Sequence, residues 1–163
     1  MDTNKSSTIP DVFLQAFKQY KDRPAFTCLG KTLTYGEIDQ YSAQFARFLQ
    51  HHTNLKPGDR VAVQLANLLQ YPVAMFGILR AGMILVNTNP LYTERELEHQ
   101  LNDSGAKMLV VMSNVASAAA AIINKTPVEQ VIVTDAGDLH GFPMGPVINF
   151  VARHIKKMVP AFS

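Results

Sequence analysis

The chain alternates between the spacing of apolar residues that is typical of helices and the short apolar runs that are typical of buried strands. Helical spacing covers 8–20 and returns after Thr34, with two short strand-like runs in between around Leu29-Gly30. From Arg60 onward, apolar runs alternate with helical stretches. This order predicts an α/β fold with a mainly parallel sheet and helices on both faces, preceded by a small N-terminal hairpin and followed by a C-terminal amphipathic helix.

Several predicted helix ends carry capping signals. Thr8 can cap the first helix, and Thr34 and Thr93 each have a glutamate three residues later, at Glu37 and Glu96. That spacing is a capping box, in which each side chain bonds a free amide of the first turn. The apolar helix over 72–81 and the strand over 83–86 are expected to be buried. The predicted helices are 8–20, 34–49, 72–81, 93–105, 115–124 and 147–159, and the predicted strands are 25–28, 31–34, 61–65, 83–86, 107–112 and 128–134.

Length and composition indicate one folded unit. The chain has 163 residues, of which 47% are hydrophobic and 17% charged, enough to form a core. We expect a flexible N-terminus over 1–7, an α/β subdomain over 8–134, and a loop with a basic helix over 135–163. No apolar signal-peptide core and no run of about 18 apolar residues is present in the sequence. A cytoplasmic location is therefore expected.

Charge and side-chain chemistry argue against several kinds of function. The net charge is only +2, so no overall positive field favours nucleic acid as a partner. The single cysteine, Cys28, excludes an internal disulfide and a Cys-based zinc site. The five histidines form no pair at zinc-ligand spacing and are expected on the surface or at helix ends. No catalytic, cofactor-binding or metal-binding residue can be named from these patterns.

One short motif resembles the end of a phosphate-binding loop. Gly30-Lys31-Thr32 has the right residue types, but Ala25 stands where such a loop has its first glycine. A short strand rather than a helix is predicted to follow, so no helix N-terminus would face a phosphate. We therefore interpret this motif as a hairpin turn.

The predicted C-terminal helix carries apolar and basic residues on opposite halves. At helical spacing, Phe150 and Ile155 lie on the apolar half, and Arg153, Lys156 and Lys157 lie on the other, basic half. Such a helix can lie on an anionic membrane, with its lysines on the head groups. Packing on its own domain or on a neighbouring chain explains the same pattern. These five residues are predicted to contact a membrane or a partner, and both alternatives stay open.

Two short motifs and four longer stretches resemble a known family. Leu33-Thr-Tyr-Gly-Glu-Ile38 and Leu79-Arg-Ala-Gly-Met-Ile-Leu-Val-Asn-Thr-Asn-Pro90 resemble the first and second core motifs of the adenylate-forming superfamily. The longer stretches resemble the bacterial long-chain fatty acid–CoA ligases within that superfamily. They are 58–63, 67–82, 86–105 and 147–160.

The resemblance implies an activity for the full-length enzyme. The family converts a long-chain fatty acid and Mg-ATP to an acyl-adenylate and pyrophosphate, and coenzyme A then displaces AMP to give the thioester. ATP, Mg²⁺ and coenzyme A are thus implied as cofactors, and a long-chain fatty acid is implied as the substrate. The alternatives are another acid–CoA ligase of this superfamily or a non-enzymatic membrane-docking module that uses the basic helix.

The resemblance also implies that the domain is incomplete at its C-terminus. The family's phosphate-binding loop, its later nucleotide-recognition motifs and its small C-terminal domain match no part of this chain. We therefore expect the fragment to be inactive and to bind none of the three cofactors. A fragment of a larger fold exposes apolar surface, so self-association is expected. Peripheral contact with the cytoplasmic face of the membrane is a further expectation.

Overall fold

The computed structural model describes residues 8–161, which form six α-helices and two β-sheets. The N-terminus over 1–7, expected to be flexible, lies outside the described residues. The helices are α1 (Ile9–Gln19), α2 (Tyr35–His51), α3 (Gln70–Arg80), α4 (Glu94–Ser104), α5 (Ala116–Ile122) and α6 (Met144–Phe150). The strands are β1 (Pro24–Cys28), β2 (Lys31–Thr34), β3 (Arg60–Gln64), β4 (Ile84–Asn87), β5 (Met108–Met112) and β6 (Gln130–Thr134).

Four parallel strands form the main sheet, in the order β4-β3-β5-β6. Successive side chains of a strand point to opposite faces, so β3 contributes to two cores. Val61 and Val63 pack with α2 and α3, whereas Ala62 packs with α4 and α5 on the other face. The predicted α/β architecture, with helices on both faces of a parallel sheet, is confirmed.

The prediction that the strand after α3 is buried is wrong. This strand, β4, lies at the edge of the sheet and pairs only with β3. Ile84 is consequently 46% exposed. A short apolar run indicates that a strand can be buried, but it does not indicate how many neighbouring strands pair with it.

The N-terminal elements form a small layer beside the main sheet. Strands β1 and β2 are antiparallel, and Leu29 and Gly30, at φ +48° and +79°, connect them. Two consecutive residues with positive φ are typical of the tightest hairpin turns. Gly30-Lys31-Thr32 therefore belongs to a hairpin, as predicted, and not to a loop that opens a helix. The layer packs on α2 and α3 through Phe13, Phe17, Leu33, Ile38 and Leu69.

The predicted capping boxes are present. The Thr34 amide donates to Glu37 Oε2 at 2.8 Å, and the Glu37 amide donates to Thr34 Oγ1 at 3.2 Å. Thr93 and Glu96 form the same pair of bonds at 2.8 and 3.4 Å. The bond from the Thr93 amide, together with that from the Thr93 hydroxyl, lowers the pKa of Glu96. Helix α4 then ends at Gly105, whose φ of +62° suits glycine.

The C-terminal segment departs from the helix predicted over 147–159. Helix α6 begins earlier, at Met144, and after Phe150 it continues as a π-helical turn over Val151–Ile155. The Lys156 amide donates to the Val151 carbonyl at 2.8 Å, a bond that spans five residues instead of four. The chain then turns at Lys157, whose φ is +48°. The predicted helical continuation to Val159 is therefore wrong.

Candidate functional site

The order of the four parallel strands creates a crevice at the carboxyl edge of the sheet. From β3 the chain moves to one side to form β4, and from β5 it moves to the other side to form β6. Neighbouring strands β3 and β5 are thus the point at which the connections diverge. In open α/β sheets, ligands bind in the crevice outside the carboxyl ends of such strands. The carboxyl ends of β3 and β5 therefore mark the candidate site.

Polar residues follow each strand at this edge. Gln64, at the end of β3, is fully buried and donates from Nε2 to the Asn89 carbonyl at 3.3 Å. Ser113, directly after β5, is 1% exposed, and its hydroxyl donates to Asp135 Oδ1, directly after β6. Buried polar groups need partners, and these bonds join the ends of separate strands. They hold the floor of the crevice together.

A pocket of about 640 Å³ occupies the crevice beneath the C-terminal segment. Its walls come from Leu68 after β3, Met112 and Asn114 around the end of β5, and the segment from Met144 to Val159. Eleven of the fifteen lining residues are apolar. The volume lies within the range of about 300–1,000 Å³ that is usual for small-molecule sites, which are mostly apolar with a few polar groups.

An ion pair fastens the C-terminal segment over this pocket. Arg153 donates to Asp135 Oδ2 from Nη2 at 2.7 Å and from Nε at 3.3 Å. Asn149 adds two bonds, because its Oδ1 accepts from the Gly137 amide at 2.7 Å and its Nδ2 donates to Asp138 Oδ1 at 3.0 Å. The segment thus packs on its own domain, which was one of the two alternatives from the sequence.

The five residues predicted for membrane or partner contact fall into two groups, those that contact the domain or line the pocket and those that are exposed. Arg153 pairs with Asp135, and Lys156 lines the pocket. Phe150 and Ile155 are 57% and 66% exposed and lie outside the pocket lining, and Lys157 is also exposed. The wider π-helical turn shifts the last residues away from their expected positions on a regular helix, so Ile155 and Lys156 do not lie where regular spacing places them.

The polar residues that form the floor of the crevice were not predicted from the sequence. Gln64, Ser113 and Asp135 each end or directly follow a short apolar run, which is the signal that identifies them once strands are assigned. His140 was also misplaced, since it is only 9% exposed and its Nε2 lies 3.2 Å from the Cys28 carbonyl oxygen. It joins the loop after β6 to the hairpin, a contact between residues far apart in the sequence.

Over 8–161, no group of three or more His, Cys, Asp or Glu side chains is arranged to hold a metal ion. The glycine of Gly30-Lys31-Thr32 lies in a hairpin turn, and its amide therefore does not belong to a helix N-terminus. Within the same residues, no helix is long and apolar enough to cross a bilayer.

Comparison with known proteins identifies relatives across almost the whole sequence. The family described as AMP-binding enzyme matches residues 13–146. A long-chain-fatty-acid–CoA ligase of Escherichia coli O6:H1 is 49% identical over 99% of this chain, and one of Haemophilus influenzae is 48% identical over the same share. In both cases the chain spans only 29% of the relative's length.

The fold leads to the same group of proteins. The crystal structure of a long-chain-fatty-acid-CoA ligase from Archaeoglobus fulgidus matches with a TM-score of 0.72 and 25% identity. That match covers 85% of this chain and 29% of the solved chain. The family match, the sequence relatives and the shared fold agree, and the chain therefore belongs to the AMP-binding enzyme family.

Proposed function

We propose that this chain is the N-terminal part of a long-chain fatty acid–CoA ligase. The observation that carries the proposal is the 49% identity to such a ligase over 99% of the chain. Relatives named for other acids share the fold at lower identity, such as an anthranilate CoA ligase at 20%. The identity therefore favours the long-chain substrate class over another acid–CoA ligase of the superfamily.

The proposed reaction activates a carboxylate that a thiol cannot attack directly. Transfer of AMP from ATP to the fatty acid carboxylate releases pyrophosphate and makes AMP the leaving group. The coenzyme A thiol then attacks the acyl carbonyl, which forms the thioester and releases AMP. Metal ions and cationic or amide donors stabilise the charge that develops on the phosphoryl and carbonyl oxygens.

We propose that ATP, Mg²⁺ and coenzyme A bind mainly through the part of the relatives that this chain does not span. The described residues assemble neither a metal-binding cluster nor a phosphate-binding turn before a helix. Their proposed contribution is the scaffold: a four-stranded sheet whose carboxyl edge carries the buried Gln64 and Ser113. The 163-residue chain alone is accordingly expected to be inactive.

The test compares the 163-residue chain with the protein made from the complete reading frame of its gene. Each is incubated with ATP, Mg²⁺, coenzyme A and palmitate, and long-chain acyl-CoA and AMP are quantified. We expect product from the complete protein and none from the 163-residue chain. Activity of the complete protein with aromatic or short-chain acids alone would overturn the substrate class, and pyrophosphate release by the 163-residue chain would overturn the inactive-fragment proposal.

A second proposal is peripheral contact of the C-terminal segment with an anionic membrane at its cytoplasmic face. Of the fifteen large apolar side chains that are exposed among the described residues, six lie between 142 and 158, including Phe142 at 92%. Exposed Lys157 lies in the same segment. Apolar side chains beside cations are typical of interfacial binding, and each cation adds about 1 kcal/mol near an anionic surface.

Vesicle sedimentation tests this second proposal. The chain is expected to bind vesicles rich in phosphatidylglycerol more than vesicles of phosphatidylcholine, and to dissociate as salt rises. Lys157→Glu and Phe150→Ser should each weaken binding. Lys18→Glu, an equal charge change on an exposed residue of α1, is the control. Equal binding to both vesicle types, or equal loss in the Lys18 variant, would refute the proposal.

A further inference from the structure

The segment from Met144 to Val159 lies over the carboxyl ends of β3 and β5 but is not part of the hydrophobic core. None of the described residues from 144 to 159 belongs to the three clusters of buried side chains. Within this segment only Gly145 is buried, and the π-helical turn has no buried residue. Because burial of apolar side chains contributes little here, polar contacts are needed to hold the segment in place.

The first half of the segment is anchored on the loop after β6. The backbones of Gly145 and Gly137 approach so closely that a β-carbon on Gly145 would lie 2.6 Å from the Gly137 carbonyl oxygen. The Asn149 side chain accepts from the Gly137 amide and donates to Asp138. The Gly145 amide also donates to the Gly141 carbonyl at 2.7 Å. Backbone and side-chain contacts thus fix α6 at several points.

The second half of the segment is held by a single ion pair. In the described part of the chain after Phe150, Arg153 alone bonds to another element, through its two bonds to Asp135 Oδ2. The backbone bonds of this half stay within the segment itself. The side chains of Arg153 and Asp135 are 41% and 20% exposed, so water and ions reach the pair. Such an ion pair is weak and is screened by salt.

We propose that residues 151–159 act as a lid over the crevice, hinged where α6 passes into the π-helical turn and latched by the ion pair of Arg153 with Asp135. The closed lid covers the pocket of about 640 Å³. When the latch breaks, the lid swings away and Met112 on the floor of the pocket meets solvent. Asp135 keeps the hydrogen bond from Ser113, so the floor itself stays intact.

The position of the lid determines what it controls. It covers the crevice outside the carboxyl ends of neighbouring strands, which is where open α/β sheets bind their ligands. The lid therefore controls access to this crevice. Opening requires neither ligase activity nor a membrane, so either of those two proposals can fail while the lid stands, and the reverse.

Thiol labelling of the 163-residue chain measures how often the lid is open. Met112→Cys places a thiol in the pocket, and Cys28→Ser removes the natural one. When opening and closing are fast, the rate of alkylation by N-ethylmaleimide reports the open population. In this background, Arg153→Gln should raise the rate about two- to fivefold. Lys125→Gln, which removes the surface ion pair of Lys125 with Glu98, is the matched control and should leave the rate unchanged.

Salt distinguishes the latch from a general loss of stability. An increase from about 0.05 to about 1 M NaCl should speed labelling of the chain that retains Arg153, because salt screens its ion pair. The same increase should not affect the Arg153→Gln chain, in which the pair is already absent. Each rate is divided by that of free cysteine at the same salt concentration.

Hydrogen exchange followed by mass spectrometry locates the hinge. Arg153→Gln should speed exchange over 151–158 and leave α6 unchanged, whereas Asn149→Ala, in the anchor, should speed exchange in both parts. Unchanged labelling in Arg153→Gln, an equal salt effect in both chains, or equally faster exchange in α6 overturns the lid. Circular dichroism checks folding. If Arg153→Gln does not fold, the chain that retains Arg153 decides the question, because labelling that is insensitive to salt refutes the latch.

Discussion

Substitution of Gly77 by alanine tests the close packing of helices α2 and α3. A β-carbon at this position would lie 2.7 Å from Phe45 Cδ1, 3.1 Å from Phe45 Cβ and 3.1 Å from the Ser42 carbonyl oxygen. Rotation of the Phe45 ring relieves only the first of these contacts. The other two are relieved only if the two helices move apart, which disturbs the core around Ile78.

Two opposing effects determine how much Gly77→Ala changes the free energy of unfolding. Alanine is favoured over glycine in a helix by about 1 kcal/mol. Overpacking a tight interior costs about 1–3 kcal/mol. We expect the packing cost to exceed the helical gain, because a backbone oxygen and a β-carbon are among the atoms that must move. Gly77→Ala should therefore lower the free energy of unfolding by about 1 kcal/mol, which corresponds to about 2–4 °C in Tm for a chain of this size.

Urea denaturation followed by far-UV circular dichroism measures this effect in two backgrounds. In Phe45→Leu the ring is absent, so the same Gly77 substitution should cost less by at least about 0.5 kcal/mol. That coupling is the direct measure of the contact. If Gly77→Ala raises stability equally in both backgrounds, as expected for a glycine on an open helix surface, the close-packing argument is refuted.

Three further predictions concern the ion pair at the amino ends of β3 and β5, the N-cap of α4 and the edge strand β6. The Lys107 ammonium lies 2.9 Å from Asp59 Oδ1, and this hydrogen bond lowers the pKa of Asp59 from its usual value of 3.8. The interaction therefore stabilises the fold above about pH 4, and this stabilisation is lost as the pH falls through the lowered pKa. Asp59→Asn should lower the free energy of unfolding, measured by urea titration, by up to about 1 kcal/mol at neutral pH and should leave it unchanged in strong acid. A loss of stability that does not depend on pH would contradict this. Thr93→Ala should lower the free energy of unfolding by about 1 kcal/mol and Thr93→Ser should restore most of it, whereas equal Tm values for all three proteins would exclude a capping role. Val131 and Val133 are 43% and 41% exposed on edge strand β6. Sedimentation velocity should therefore show self-association of the chain, and Val133→Lys should reduce it. A chain that stays monomeric at all concentrations would contradict this prediction.

The elements that depend on local interactions were predicted correctly from the sequence. The capping boxes at Thr34 and Thr93 need partners only three residues away. The turn at Leu29-Gly30 and the end of α4 at Gly105 each contain a glycine with positive φ, a conformation that glycine adopts at little cost. The alternation of strands and helices also predicted the parallel sheet, because successive parallel strands need a helical crossover between them.

The order of the strands was decided only by the tertiary structure. Whether a strand has one neighbour or two depends on contacts between residues far apart in the chain, and periodicity does not report them. Ile84 was therefore expected in the interior but lies at an edge. The same limit applies to Ser113 and Asp135, which meet because β5 and β6 are adjacent and parallel.

The C-terminal segment shows both contributions. Its mixture of apolar and basic residues was visible in the sequence. That mixture predicted a surface helix that either contacts a membrane or packs on its own domain or a neighbouring chain. The ion pair of Arg153 with Asp135 and the π-helical turn then brought Lys156 to the pocket and left Ile155 exposed. Local propensity determined that this segment is helical, whereas its long-range contacts and its wider turn determined which side chains face the sheet.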